Sequence, residues 1–321
     1  MMNPVIYVTR KIPEEVLQPY QNMFNFRMWD KEDVPVPRDV LLKEAATADG
    51  VLCLLTENID REFFDYAKNL KIVANMAVGF DNIDVEAARE HGVVVTNTPD
   101  VLTETTADLT FALLMATARR IVEAADYIRE DKWQYWAPYL LAGSDVHGKT
   151  IGIVGMGRIG EAVARRARGF GMSILYHNRS RQEKAEQELG AVYSDFTDLL
   201  QKADFVVSLV PLTEQTAKMF DRDAFNNMKS SAIFINVSRG GTVDEEALYD
   251  ALAANEIQAA GLDVFANEPI SSEHQLLELD NVVCLPHIGS ASEATRTKML
   301  ELCLDNLKAV LNGEEAITPV K

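Results

Sequence analysis

The sequence predicts an α/β protein of two lobes, each a parallel sheet covered by helices, and three observations carry that expectation. At 321 residues the chain exceeds the size at which one hydrophobic core keeps growing, so two domains are expected. Short unbroken apolar runs alternate with helix-like stretches, the pattern of strands buried on both faces. Near the middle, the glycine cluster GIVGMGRIG follows one such run and opens a helix.

Taken in order, PVIYVT reads as a first strand, and the opening residues lack the basic, apolar and small-residue regions of a signal peptide. GVLCLL (50–55), KIVANM (71–76) and GVVVTN (92–97) repeat the strand pattern, with helix-like stretches at 37–48 and 60–69. A long helix is predicted over 103–129, because Leu109, Leu113, Ala116 and Ile121 recur at helical spacing with no Gly or Pro between them. At that length it would bridge two lobes. WQYWAPYLLAGSDVHGKT then reads as an irregular aromatic arm. A second series of strands starts at Thr150: TIGIVG, SILYHN, FVVSLV, AIFINV, AAGLDV and VVCLPH, with a last helix over 291–311.

Composition narrows the function. Apolar residues make up 47% and charged residues 25%, as in ordinary globular proteins, and no apolar run is long enough to span a membrane. A net charge of -18 disfavours nucleic acid and anionic membranes as partners. It would also repel a small anion, so a site for one needs its own positive charge. Cys53, Cys284 and Cys303 are scattered and odd in number. They suit neither a disulfide framework nor a metal site, and fit buried thiols in a reducing cytoplasm.

Gly155, Gly157 and Gly160 have the G-x-G-x-x-G spacing between a strand and a helix. The first glycine permits a tight turn, the second a close approach of backbone to a pyrophosphate, and the third close packing of helix on strand. NAD binders usually place an acid at the end of the next strand, to hold the ribose 2′-hydroxyl. Here that strand ends in Asn178, Arg179, Ser180 and Arg181. Two guanidinium groups and a hydroxyl suit a 2′-phosphate, so NADPH is expected over NADH. Three later strand ends carry further polar residues: Arg239 in INVSRGGTVDEEAL, Asp263 and Glu268 in GLDVFANEP, and His287 in CLPHIGSAS. Ligands of such sheets bind at strand ends.

These segments, together with NMAVGFDNIDVEAAREHGVVVTNTP and TETTADLTFALLMATAR, resemble the D-isomer specific 2-hydroxyacid dehydrogenases, above all their glyoxylate/hydroxypyruvate reductases. The resemblance implies two Rossmann-like lobes with doubly wound parallel sheets, the cofactor domain (102–288) being inserted in a discontinuous flavodoxin-like substrate domain (1–101 and 289–321). It implies hydride transfer to C2 of a small 2-oxo acid, giving the D-2-hydroxy acid. His287 would be the acid/base, Glu268 its partner, and Arg239 the clamp on the substrate. Val78, Gly79, Ser290 and, from a neighbouring copy, Trp136 would also meet the substrate. Thr106, Arg158, Ile159, Ser208, Pro211, Thr213, Val237, Asp263 and Gly289 would join the glycines and the 178–181 loop around the cofactor. A carboxylate beside His287 favours its charged form. The resemblance also implies a homodimer, with Trp133 and Trp136 in the dimer arm. Phosphoglycerate, lactate or a sugar acid such as 2-ketogluconate stays open as the substrate, and a dinucleotide-sensing corepressor is the alternative from another class.

Overall fold

A computed structural model describes residues 3–320. The chain divides into two compact units: residues up to Leu102 with those from Ala291 onward, and Thr103–Ser290. Leu102, Gly289 and Ser290 thus fall on the other side of the boundaries expected from sequence.

The first unit holds five parallel strands: β1 (Val5–Val8), β2 (Asn25–Met28), β3 (Gly50–Cys53), β4 (Ile72–Asn75) and β5 (Val94–Thr96). Their order is β2-β1-β3-β4-β5, the flavodoxin-like winding. β1, β3, β4 and β5 lie in the predicted runs, while β2 was not predicted. Its sequence NFRM has no unbroken apolar run, because an edge strand that pairs only with β1 stays half-exposed. The Glu293–Leu311 helix buries Met299, Cys303, Leu304 and Leu307 within this unit. Gly50 lets it sit close to β3, since a Cβ there would stand 2.6 Å from Leu307 Cδ2.

The second unit holds seven parallel strands: β6 (Thr150–Val154), β7 (Ser173–His177), β8 (Val192–Tyr193), β9 (Phe205–Ser208), β10 (Ile233–Asn236), β11 (Ala259–Leu262) and β12 (Val282–Cys284). Their order, β12-β11-β10-β9-β6-β7-β8, is the dinucleotide-binding winding with one strand added. Alternate residues feed two cores, one on each face. Ile151, Ile153, Phe205, Val207 and Ile233 go to one, and Val154, Val206 and Phe234 to the other. The two-residue edge strand β8 was not predicted.

The predicted 103–129 helix is broken. It runs as Thr103–Ala118 and Ile121–Arg129, with Arg120 left-handed at φ 53° between them. Nothing in the local sequence stops it. The N–H of Ser144 takes the Ala118 carbonyl at 2.8 Å, replacing the next helical turn. Gly143 permits this approach, for a Cβ there would stand 2.2 Å from the same oxygen. The first segment buries Phe111, Leu113 and Leu114 in the second unit's core, so it covers this sheet.

Candidate active site

Successive strand ends build the site in the second unit. β10 ends at Asn236, whose buried amide oxygen accepts from Ser238 N–H (3.0 Å) and Oγ (2.7 Å) and whose Nδ2 donates to the Arg239 carbonyl at 3.1 Å. Thr242 Oγ1 donates to that carbonyl as well, at 2.7 Å. This lock fixes the backbone that carries the Arg239 guanidinium. Gly240 follows because the next loop lies directly against it: a Cβ would stand 1.8 Å from the Phe265 carbonyl carbon. The two glycines after Arg239 were legible in sequence, but the backbone contact that requires the first was not.

That neighbouring loop carries Glu268. Its Oε1 accepts from the Phe265 N–H at 2.9 Å, and its Oε2 meets His287 Nδ1 at 2.7 Å. Burial opposes ionisation of Glu268, but the His287 contact, the Phe265 N–H and the charge of Arg239 outweigh it and hold the carboxyl below its usual range. An ionised Glu268 can only accept, so Nδ1 carries the hydrogen and Nε2 is left for chemistry. His287 sits at φ 52°, a left-handed conformation uncommon for a residue with a β-carbon. Its own N–H on the Asp263 carbonyl (3.0 Å) and the Ile288 N–H on Asp263 Oδ1 (2.8 Å) hold it there. Asp263 is fully buried, and burial pushes its carboxyl up against the pull of the Ile288 N–H and His287.

The glycine loop lies where the winding reverses, between β6 and β9. Gly155 adopts φ +106°, and a Cβ there would stand 2.7 Å from the Leu209 carbonyl. A Cβ on Gly160 would strike the Gly155 oxygen at 2.3 Å, whereas one on Gly157 would meet nothing within 4 Å. Turn, close helix packing and an open side for approach are what a pyrophosphate cradle needs. Asn178, near the place where NAD binders usually carry an acid, accepts from Met156 N–H at 2.7 Å, bracing the loop. The helix N-capped by Gly157 begins at Arg158, one residue before Ile159, and both precede the tightly packed Gly160.

Thr106, Val237 and Asp263 converge on Gly289, where a Cβ would lie 3.3–3.5 Å from all three. Ser208, fully buried at the end of β9, meets Ser238 Oγ at 3.1 Å, and the exposed Pro211 and Thr213 are tied through Thr216 Oγ1. Four of the predicted cofactor residues thus meet at one point, next to the predicted catalytic histidine in sequence. Ser290 is half-buried, and Trp136 stands 78% exposed on the arm.

The 179–181 loop has a partner that the sequence did not show. Arg181 is engaged by Glu186, through Nε at 2.9 Å and Nη2 at 2.5 Å, with the Tyr193 ring 6.0 Å from its guanidinium carbon. Tyr176 Oη donates to the same carboxylate at 2.6 Å. Sequence reasoning missed Glu186, since RQEKAEQE offers several acids and only the helix geometry selects one. Of the cysteines, Cys53 and Cys303 are buried and Cys284 is half-buried. Burial pushes all three thiols up, Cys284 to about 11. Among the described residues there is no cluster able to hold a metal, and no helix long and apolar enough to cross a membrane.

A sheet of this winding, with a glycine cradle at the reversal and an arginine and a carboxylate–imidazole pair at adjacent strand ends, defines an NAD(P)-dependent oxidoreductase. Residues 111–289 match the family model described as D-isomer specific 2-hydroxyacid dehydrogenase, NAD binding domain. The chain is 51% identical over 314 residues to a glyoxylate reductase of Korarchaeum cryptofilum, covering 98% of this chain and 94% of that protein. A glyoxylate reductase of Thermococcus kodakarensis is 50% identical, with 98% and 95% covered. Among solved structures, a Thermus thermophilus protein superposes with a TM-score of 0.92 at 44% identity, over 99% of this chain and 100% of that one. An NADPH-dependent glyoxylate/hydroxypyruvate reductase from Sinorhizobium meliloti, in complex with NADP and malonate, gives 0.87 at 39%, over 99% and 97%. The chain belongs to the D-isomer specific 2-hydroxyacid dehydrogenase family.

Proposed function

We propose that this enzyme reduces glyoxylate to glycolate and hydroxypyruvate to the D-2-hydroxy acid, using NADPH in preference to NADH. The observation that supports the chemistry most directly is the 2.7 Å contact of His287 Nδ1 with an ionised Glu268 that also feels the charge of Arg239. Arg239 holds the substrate carboxylate and polarises its C2 carbonyl, supplying the local positive charge that an acidic protein lacks. When bound, the reduced nicotinamide supplies the hydride that C2 receives. His287 gives the Nε2 proton to the oxygen that becomes the alkoxide, and Glu268 keeps the ring oriented throughout. The backbone at Val78 and Gly79 is the proposed second holder of the carboxylate, and Ser290 lines the substrate.

NADPH preference rests on Arg179 and Ser180, with Arg181 shaping the loop from its place on Glu186. The Sinorhizobium meliloti protein, described as NADPH-dependent and holding NADP, agrees with this reading. We also propose a cytoplasmic homodimer. Trp133, Tyr135, Trp136 and Tyr139 are 58–88% exposed, and Ile121, Val122 and Ile128 on the preceding helix are 45–61% exposed, the kind of side chains that a partner surface covers. Trp136 would then reach a neighbour's substrate.

Initial rates with glyoxylate and hydroxypyruvate, using NADPH and then NADH, test the proposal. Turnover favouring NADPH supports both parts. Turnover favouring NADH refutes the cofactor preference alone. No turnover of either acid, alongside reduction of 2-ketogluconate, would replace the substrate.

A further inference from the structure

The loop after β4 is held in an unusual way. Three successive carbonyls are each taken by a donor of the first unit. The Ala77 oxygen accepts from Thr98 N–H at 2.8 Å. Val78 O accepts from Asn97 Nδ2, and Gly79 O from Asn75 Nδ2, both at 2.8 Å. These peptide groups are trans, so each N–H points opposite to its carbonyl. Each of the N–H groups of Val78, Gly79 and Phe80 therefore points away from the donor that holds the carbonyl of its own peptide. Successive backbone N–H groups can together receive an anion.

The two asparagines are themselves anchored. Asn75 is fully buried at the end of β4, and its Oδ1 lies 3.6 Å from the Cys53 thiol on β3. Asn97, just past β5, donates its backbone N–H to Thr318 O at 3.3 Å and accepts Thr318 Oγ1 at 2.6 Å. Thr318 is fastened in turn to the fully buried Asn306 of the last helix: its N–H donates to Oδ1 at 3.0 Å, and its Oγ1 accepts from Nδ2 at 2.9 Å. A buried amide such as Asn306 is costly unless its hydrogen bonds are made, and here they are spent on fixing the segment that carries Asn97.

We infer that Asn75 and Asn97 are positioning residues for substrate: they hold the 77–80 backbone so that its N–H groups receive the substrate carboxylate. The inference rests on the proposed role of Val78 and Gly79. An unfixed loop would pay the cost of ordering its peptides on each binding event, which would appear in KM. Neither asparagine lies in the unit that carries the cofactor cradle.

The test uses Asn97→Ala and Asn97→Asp in the full chain. The second keeps the side-chain volume and replaces the N–H donor by oxygen, and Asn75→Asp applies the same change at the other support. The expected result is a KM for glyoxylate raised about tenfold, the worth of about one hydrogen bond, with kcat lowered less and the Kd for NADPH within twofold of wild type. A merely structural defect would lower the melting temperature and kcat and raise both KM and the Kd for NADPH. In parallel, the backbone amide resonances of Val78, Gly79 and Phe80 in the isotope-labelled wild type are followed while oxalate is added with NADP. Shifts at these amides, together with a raised KM in the variants, support the inference. Shifts with an unchanged KM in folded variants overturn the role of the asparagines and leave the loop's role standing. Saturable oxalate binding with no shift at the three amides overturns the loop reading and the inference with it.

Discussion

Both units wind a parallel sheet that reverses direction once, and the two reversals are finished in opposite ways. In the first unit the reversal falls between β1 and β3, where side chains close it. Arg10 meets Glu57 at 3.1 Å, with side chains only 9% and 2% exposed. Thr9 Oγ1 and the Leu54 N–H donate to the same carboxylate, at 2.7 and 2.8 Å. In the second unit the reversal falls between β6 and β9, where Gly155, Gly157 and Gly160 leave backbone where side chains would stand. Ligands of doubly wound sheets usually bind at such reversals. The winding alone therefore does not make a site. What the strand ends carry decides whether a reversal is a plug or a cradle.

Four tests would break or sharpen that contrast. The largest effect is expected in the second unit: His287→Ala should lower kcat for glyoxylate reduction about a thousandfold, with the Kd for NADPH unchanged. A loss below tenfold would remove His287 from proton transfer. Next, Glu57→Ala should strand Arg10 in the interior and cost about 3–5 kcal/mol in urea unfolding, leaving NADPH binding intact. A cost under about 1 kcal/mol would mean that the plug is ornamental.

Third, Arg179→Ala should weaken NADPH binding about tenfold without changing that of NADH, by calorimetry. Arg181→Ala should do less, because Glu186 already holds that guanidinium, and Glu186→Gln should strengthen NADPH binding by releasing it. An Arg181 effect larger than that of Arg179 would reverse the assignment. The smallest effect concerns acid stability. Glu268 is held below the ordinary glutamate value of 4.5, so its contribution is complete above that value in the ionised folded state. It is lost as pH falls through the depressed folded value. The melting temperature of the wild type should therefore drop faster than that of Glu268→Gln below about pH 4.5. Parallel curves would show that the pair adds nothing to stability.

Much of this was readable in the chain. Strands buried on both faces must be apolar throughout, so VIYV, IVAN and IFIN announced themselves, while the half-exposed edge strands β2 and β8 did not. Gly155 and Gly160 were legible because no other residue tolerates their conformation or contact. The break after Ala118 was not, because its cause is a loop twenty-five residues on.

The same division holds at the site. Sequence by itself determined which residue types stand at the strand ends, since Arg239, Glu268 and His287 each follow an apolar run that only a buried strand explains. Tertiary structure alone decided their partners. That Glu268 orients His287, that Glu186 engages Arg181, and that Asn75 and Asn97 grip successive carbonyls are matters of distance between segments far apart in the chain. Periodicity records burial along a chain, whereas a hydrogen bond a few tenths of an ångström within reach is set only when the sheet has brought distant segments together.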